Sequence, residues 1–89
     1  MYKLKIAPGA GRDIRNLWRI PRQDFERLRN AMANLVNEPR PQGVRKIKGR
    51  ENSYRIRVGS YRIVYEVYDN DKLILILQIV RRSGTTYRQ

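Results

Sequence analysis

The chain has 89 residues, enough for one small domain with a single modest core. It contains no cysteine and no histidine, which excludes disulfides, thiolate metal sites and imidazole as a general base. A formal net charge of +12, spread along the chain rather than confined to a tail, points to a polyanionic partner: RNA, DNA or an acidic protein.

Residues 1–89 read as one domain without linker or repeat. The apolar run at residues 73–77, followed by Ile79 and Val80, is far too short to span a bilayer. Residues 1–6 lack the apolar core of a signal peptide. Neither helix described below is apolar enough to lie in a membrane surface. The expectation is a cytoplasmic protein with no membrane partner.

In chain order, residues 2–7 read as a strand, with Leu4 and Ile6 on one face and Lys3 and Lys5 on the other. Pro8 suits the first turn of a helix. Ile14, Leu17 and Trp18 follow at the spacing of one helix face, and Trp18 reads as a core anchor. Gly9 and Gly11 weaken this helix. Pro21 restarts the chain as a second helix with Asp24 and Glu26 in its first turns, where carboxylates complement the helix dipole. Its apolar stripe is Phe25, Leu28, Met32, Leu35 and Val36, with Arg22, Arg27 and Arg29 largely off it. Pro39 and Pro41 end it. Residues 44–48 carry dense charge and few apolar positions, as an edge strand does.

Residues 53–67 alternate at period two and are interrupted by Gly59-Ser60, a pair suited to a type II′ hairpin turn. With that turn Val58 faces Tyr61, Arg57 faces Arg62 and Ile56 faces Ile63. One face is then Tyr54, Ile56, Val58, Tyr61, Ile63, Tyr65 and Val67. The other carries Arg55, Arg57 and Arg62, with Glu66 further along, where it can pair with the arginines. Opposed like charges destabilise a hairpin by up to ~1 kcal/mol per pair, so such a cluster points to an anionic ligand. Arginine suits phosphate because its planar fork donates two parallel hydrogen bonds. Asp69-Asn70-Asp71 reads as a second turn. Residues 73–80 are nearly continuous apolar, the pattern of a strand covered on both faces, and residues 81–89 form a basic tail. The fold class is α+β: an N-terminal strand, a two-helix hairpin, then a four-stranded antiparallel portion with the tail behind it.

The run Pro39-Arg40-Pro41-Gln42-Gly43-Val44-Arg45-Lys46-Ile47-Lys48-Gly49, followed by the strand pair at residues 54–65, resembles the RelE/ParE toxin superfamily of type II toxin–antitoxin systems. The resemblance covers nearly the whole chain. It implies the RelE-like microbial RNase fold and one of two activities, ribosome-dependent cleavage of messenger RNA in the A site or inhibition of DNA gyrase. It places catalytic residues at Arg55, Arg57, Arg62, Arg81 and Tyr87, with Arg82 a competing match for Arg81. Lys46, Lys48, Arg45, Arg50, Arg82 and Arg88 are expected to bind RNA. Positions 55 and 57 are often Lys in RelE-like enzymes, whereas both are Arg here. Lys can be desolvated into a base but Arg stays protonated, which leaves as alternative proton acceptors Tyr87 and, if their strand borders the arginine face, Lys46 and Lys48.

The implied chemistry is attack of an RNA 2′-hydroxyl on the adjacent phosphate. It requires no cofactor and no metal. The implied partners are the ribosome with its messenger and an acidic RelB-like antitoxin in a hetero-oligomer. A gyrase inhibitor and a non-catalytic RNA-binding protein are the competing readings.

Overall fold

The computed structural model describes residues 1–16 and 19–81. Leu17, Trp18, Arg82, Tyr87 and Arg88, on which several sequence expectations fall, lie outside the described residues.

The element order is β1 (Lys3–Ile6), α1 (Pro8–Arg15), α2 (Arg22–Leu35), β2 (Arg45–Lys46), β3 (Ser53–Val58), β4 (Tyr61–Tyr68) and β5 (Leu73–Arg81). The five strands form one sheet in the order β1-β5-β4-β3-β2. The last four pair antiparallel, as expected. β1 joins them in parallel against β5, with Leu4 opposite Ile74 and Ile6 opposite Ile76. β1 and β2 therefore lie at opposite edges, and the two helices carry the chain from one to the other.

This crossing puts both helices on a single face of the sheet. Ala10 of α1 and Leu28 and Leu35 of α2 share the core with Tyr61, Ile63, Tyr65 and Val67 of β4 and Ile74, Ile76 and Ile79 of β5. Phe25 and Met32 of the predicted stripe pack around its margin. Each fully buried apolar side chain contributes about 1.5–3 kcal/mol. β5 corrects the expectation of a strand covered on both faces. Its helix-side residues are buried, but Leu73, Leu75 and Leu77 are only half-buried, because among the described residues no element lies over the other face.

Pro8 occupies the first turn of α1, where its missing N–H loses nothing. α1 is further tied to the sheet by Asp13, whose Oδ2 accepts the Ile79 N–H at 2.8 Å. β1 pairs only as far as Ile76, so Asp13 takes over at a strand edge that β1 no longer covers. The turn between β3 and β4 has Gly59 at φ 59°, and Ser60 is not among the positive-φ residues, which fits type II′.

Candidate nucleic-acid interface

The hairpin register is the one the alternation predicts. Arg57 stands opposite Arg62, Ile56 opposite Ile63 and Val58 opposite Tyr61. Arg55 shares its face with Arg57, two residues along the strand. On the neighbouring edge strand Arg45 stands opposite Arg55. Arg45, Arg55, Arg57 and Arg62 thus come together on the uncovered face, and with Gln42, Gly43 and Ile56 they line an open cavity of about 570 Å³. Four guanidiniums around one cavity make a concentrated positive field with many rigid donors, suited to phosphate oxygens. Gln42 and Gly43 were not singled out from sequence. Their signal is the bend that follows Pro41, where Gly43 takes φ 92°.

Glu66 does not join this cluster. Its Oε1 accepts the Tyr68 hydroxyl at 2.6 Å, and its Oε2 lies 3.5 Å from Oγ of the buried Ser53. Donation to Glu66 raises the Tyr68 hydroxyl above its ordinary pKa. The expected carboxylate–arginine pairing is thereby replaced by neighbours two residues along the strand and directly across the ladder.

Lys46 also stands apart. Its register partner is Tyr54, on the helix-covered face. Its Nζ donates to the carbonyls of Arg50 and Glu51 and lies 5.3 Å from the Tyr54 ring centroid. It therefore closes the turn after β2 and does not border the arginine cavity, which removes the condition on which it was expected to serve as a base. Lys48 is exposed beyond β2. Arg50 lines a neighbouring cavity on the uncovered face.

Arg81 is opposite Tyr61, a residue of the covered face. It lines a separate cavity of about 200 Å³ with Asp13, Asn16, Ile20, Tyr61 and Ile79. The sequence expectation grouped it with Arg55, Arg57 and Arg62, but the period-two alternation of β5 places it on the other side.

A residue that sequence reasoning missed is Arg40. Its guanidinium grips Asp69 with Nη2–Oδ2 at 2.8 Å and donates from Nε to the Tyr54 hydroxyl at 3.0 Å. Tyr2 donates to the same carboxylate at 2.6 Å. Tyr54 stacks on Tyr65 with ring centroids 6.0 Å apart, and the Tyr65 hydroxyl donates to the Pro39 carbonyl at 2.8 Å. The Arg40 and Tyr2 hydrogen bonds hold the Asp69 carboxyl below its usual range. Burial raises the Tyr65 hydroxyl. This network fastens the segment after α2 to β3 and to the β4–β5 turn. Its sequence signal was the cation held between Pro39 and Pro41.

A helical hairpin behind a five-stranded sheet, with arginines gathered on the open face, defines the class of RelE-like toxin folds. The isolated RelE toxin of E. coli superposes with a TM-score of 0.79 at 21% identity, over 96% of this chain and 88% of that one. A chain of the archaeal RelE–RelB complex from Pyrococcus horikoshii OT3 superposes with a TM-score of 0.78 at 29% identity, over 94% of this chain and 98% of that one. In sequence, a protein of Methanocaldococcus jannaschii carrying the toxin name RelE1 is 29% identical over 76 residues, 82% of this chain and 84% of its own length. The family model for the ParE toxin of type II toxin–antitoxin systems matches residues 4–85. The chain belongs to this family, within the RelE/ParE toxin superfamily.

Proposed function

We propose that this toxin is a ribosome-dependent endoribonuclease that cuts messenger RNA in the A site. The observation that carries the reading is the opposed pair Arg57 and Arg62, with Arg55 and Arg45 beside it, around one cavity. In the reaction the RNA 2′-oxygen attacks the adjacent phosphorus, the bond to the 5′-oxygen breaks, and the products are a 2′,3′-cyclic phosphate and a 5′-hydroxyl. Arg57 and Arg62 clamp the phosphate and stabilise charge as it develops. By analogy with oxyanion donors, each such contact contributes about 3 kcal/mol.

An arginine cannot take the 2′-proton, so the base lies outside the cluster. Tyr87 is our choice for the proton acceptor; its alternative role is as a platform on which a splayed base stacks. Arg82 takes precedence over Arg81 for the leaving-oxygen side, since Arg81 lines a cavity on the covered face. Among the described residues no group of three or more His, Cys, Asp or Glu could hold a metal. The reaction needs no metal-bound water, and cleavage is expected to survive EDTA. The ribosome supplies in-line alignment of the messenger, a proximity effect that removes several kcal/mol from the barrier. Free RNA is therefore cut slowly.

The proposed neutralising partner is an acidic antitoxin in a hetero-oligomer. Similar structures from Pyrococcus horikoshii OT3 and Methanococcus jannaschii are complexes of RelE with RelB. The +12 charge favours an acidic segment across the arginine face. β1 offers an edge with Leu4 and Ile6 at 37% and 40% exposure, suited to a partner strand. Such a complex loosens as salt rises. No described helix is long and apolar enough to cross a membrane, and we place the protein in the cytoplasm with the ribosome.

The deciding experiment is primer extension on a translated messenger with purified protein, comparing wild type with Arg62→Ala. Cuts at A-site codons that vanish in the variant are expected. Intact messenger with wild-type protein would overturn the reading. The ParE description of the matching family favours gyrase inhibition as the second reading. A supercoiling assay separates the two.

A further inference from the structure

A second cavity adjoins the arginine site on the uncovered face. It measures about 480 Å³ and is lined by Ile47, Arg50, Val64, Leu77 and Gln78. One ladder row links the two cavities: Arg45 stands opposite Arg55, Arg55 opposite Val64, and Val64 opposite Gln78. Neighbouring strands are ~4.8 Å apart, so Gln78 sits about 10 Å from Arg55 measured between backbones. A group anchored on Arg55 therefore has this cavity directly beside it.

The local backbone is built for the cavity. The β4–β5 register slips between Val64 and Tyr65, pairing Val64 with Gln78 but Tyr65 with Ile76. Leu77 is the extra residue of a β-bulge, and the bulge turns Leu77 and Gln78 toward the same cavity. Bulges commonly re-aim side chains beside functional sites. Gln78 is also the one polar residue within positions 73–80. It is exposed, and its amide makes no side-chain hydrogen bond among the described residues.

We propose that this cavity receives the purine base of the nucleotide whose phosphate the arginines hold. The proposal rests on the RNA reading above. Ile47, Val64 and Leu77 give an aliphatic floor for the flat face of a base, and Arg50 at the rim can stack on it. Gln78 and Arg50 supply the polar recognition. A glutamine amide bonds adenine at N6 and N7 with two hydrogen bonds, and a guanidinium bonds guanine at O6 and N7. Both edges belong to purines, and pyrimidines lack N7. The cavity thus adds base selection to a phosphate clamp that by itself reads no sequence.

The test is an NMR titration of the full chain with inorganic phosphate and with the four 5′-ribonucleoside monophosphates. Phosphate is expected to shift signals of Arg45, Arg55, Arg57 and Arg62 alone. AMP and GMP are expected also to shift the Gln78 side-chain amide and the Val64 and Leu77 signals, binding ~10-fold tighter than CMP and UMP. Gln78→Ala removes the AMP advantage, Arg50→Ala removes the GMP advantage, and both keep the wild-type response to phosphate, which verifies their folding. If all four nucleotides bind equally, with shifts confined to the arginines, the base cavity is overturned and the phosphate clamp stands. If neither phosphate nor any nucleotide perturbs either cavity, the clamp falls and the base cavity with it.

Discussion

On the covered face, Ile63, Tyr65, Ile74 and Ile76 are fully buried, whereas one residue away along the same strands Arg62, Val64, Leu75 and Leu77 are half-exposed. The strands are shared, so secondary structure cannot account for the difference. It arises because the helical hairpin crosses only one side. The covered face is filled by side chains whose burial stabilises the fold. The open face keeps four arginines around one cavity, as two directly opposed pairs, Arg57 with Arg62 and Arg45 with Arg55, in an arrangement that weakens the sheet. Cation usage divides the same way. Arg40, near the covered-side tyrosines, fastens Asp69 and Tyr54, and the open-face arginines line one cavity together.

The largest expected effect lies on the covered face. Ile63→Ala removes a fully buried side chain from the centre of β4 and should lower unfolding stability by about 2–5 kcal/mol in urea denaturation. A loss below ~1 kcal/mol would mean that the core is not packed as described. Arg57→Ala separates stability from function. Cleavage on programmed ribosomes should fall ~100-fold or more, while the urea midpoint stays level or rises, since one of two opposed cations is gone. Equal losses of stability and cleavage would remove the contrast between the faces.

Gly59→Ala tests the turn that aligns both faces at once. At φ 59° an alanine is strained, and a loss of about 1–2 kcal/mol is expected by thermal unfolding. The smallest effect concerns Asp69. Its folded-state pKa is depressed by Arg40 and Tyr2, so its contribution is present above the unfolded value near 3.9 and is lost as pH falls through the folded value. Asp69→Asn should be slightly less stable at neutral pH and should lose stability less steeply on acidification. Its cleavage should match wild type, since Asp69 lies in the fastening network rather than in the arginine cavity. A reduced cleavage rate in Asp69→Asn at neutral pH would show instead that the network holds the site in place.

Much of this was legible in the residues. Period-two alternation and the Gly59-Ser60 turn give the register of β3 on β4, and with it the Arg57–Arg62 pair. Pro8, Pro21 and the Pro39-Pro41 break mark the helix limits closely. Three site assignments were not legible. Lys46 belongs by type among RNA-binding residues, but its place opposite Tyr54 turns it to the covered face. Arg81 sits one residue out of phase with the arginine cluster, and the phase of β5 depends on a bulge that no local pattern announces. Glu66 shares the face of Arg62 but binds Tyr68, and the nearer partner prevails.

The sequence by itself determined the basic surface, the absence of imidazole and thiol chemistry, the helices, and the hairpin with its two faces. These follow from composition and from periodicities that each segment carries alone. The tertiary structure decided which face stayed open, because that depends on the helical hairpin crossing from β1 at one edge to β2 at the other. It also decided the parallel pairing of β1 with β5, the bulge that turns Leu77 and Gln78 outward, and the Arg40–Asp69 grip between residues 29 apart in the chain. Each of these is a contact between distant segments, whose energy is absent until the chain has closed the loop between them.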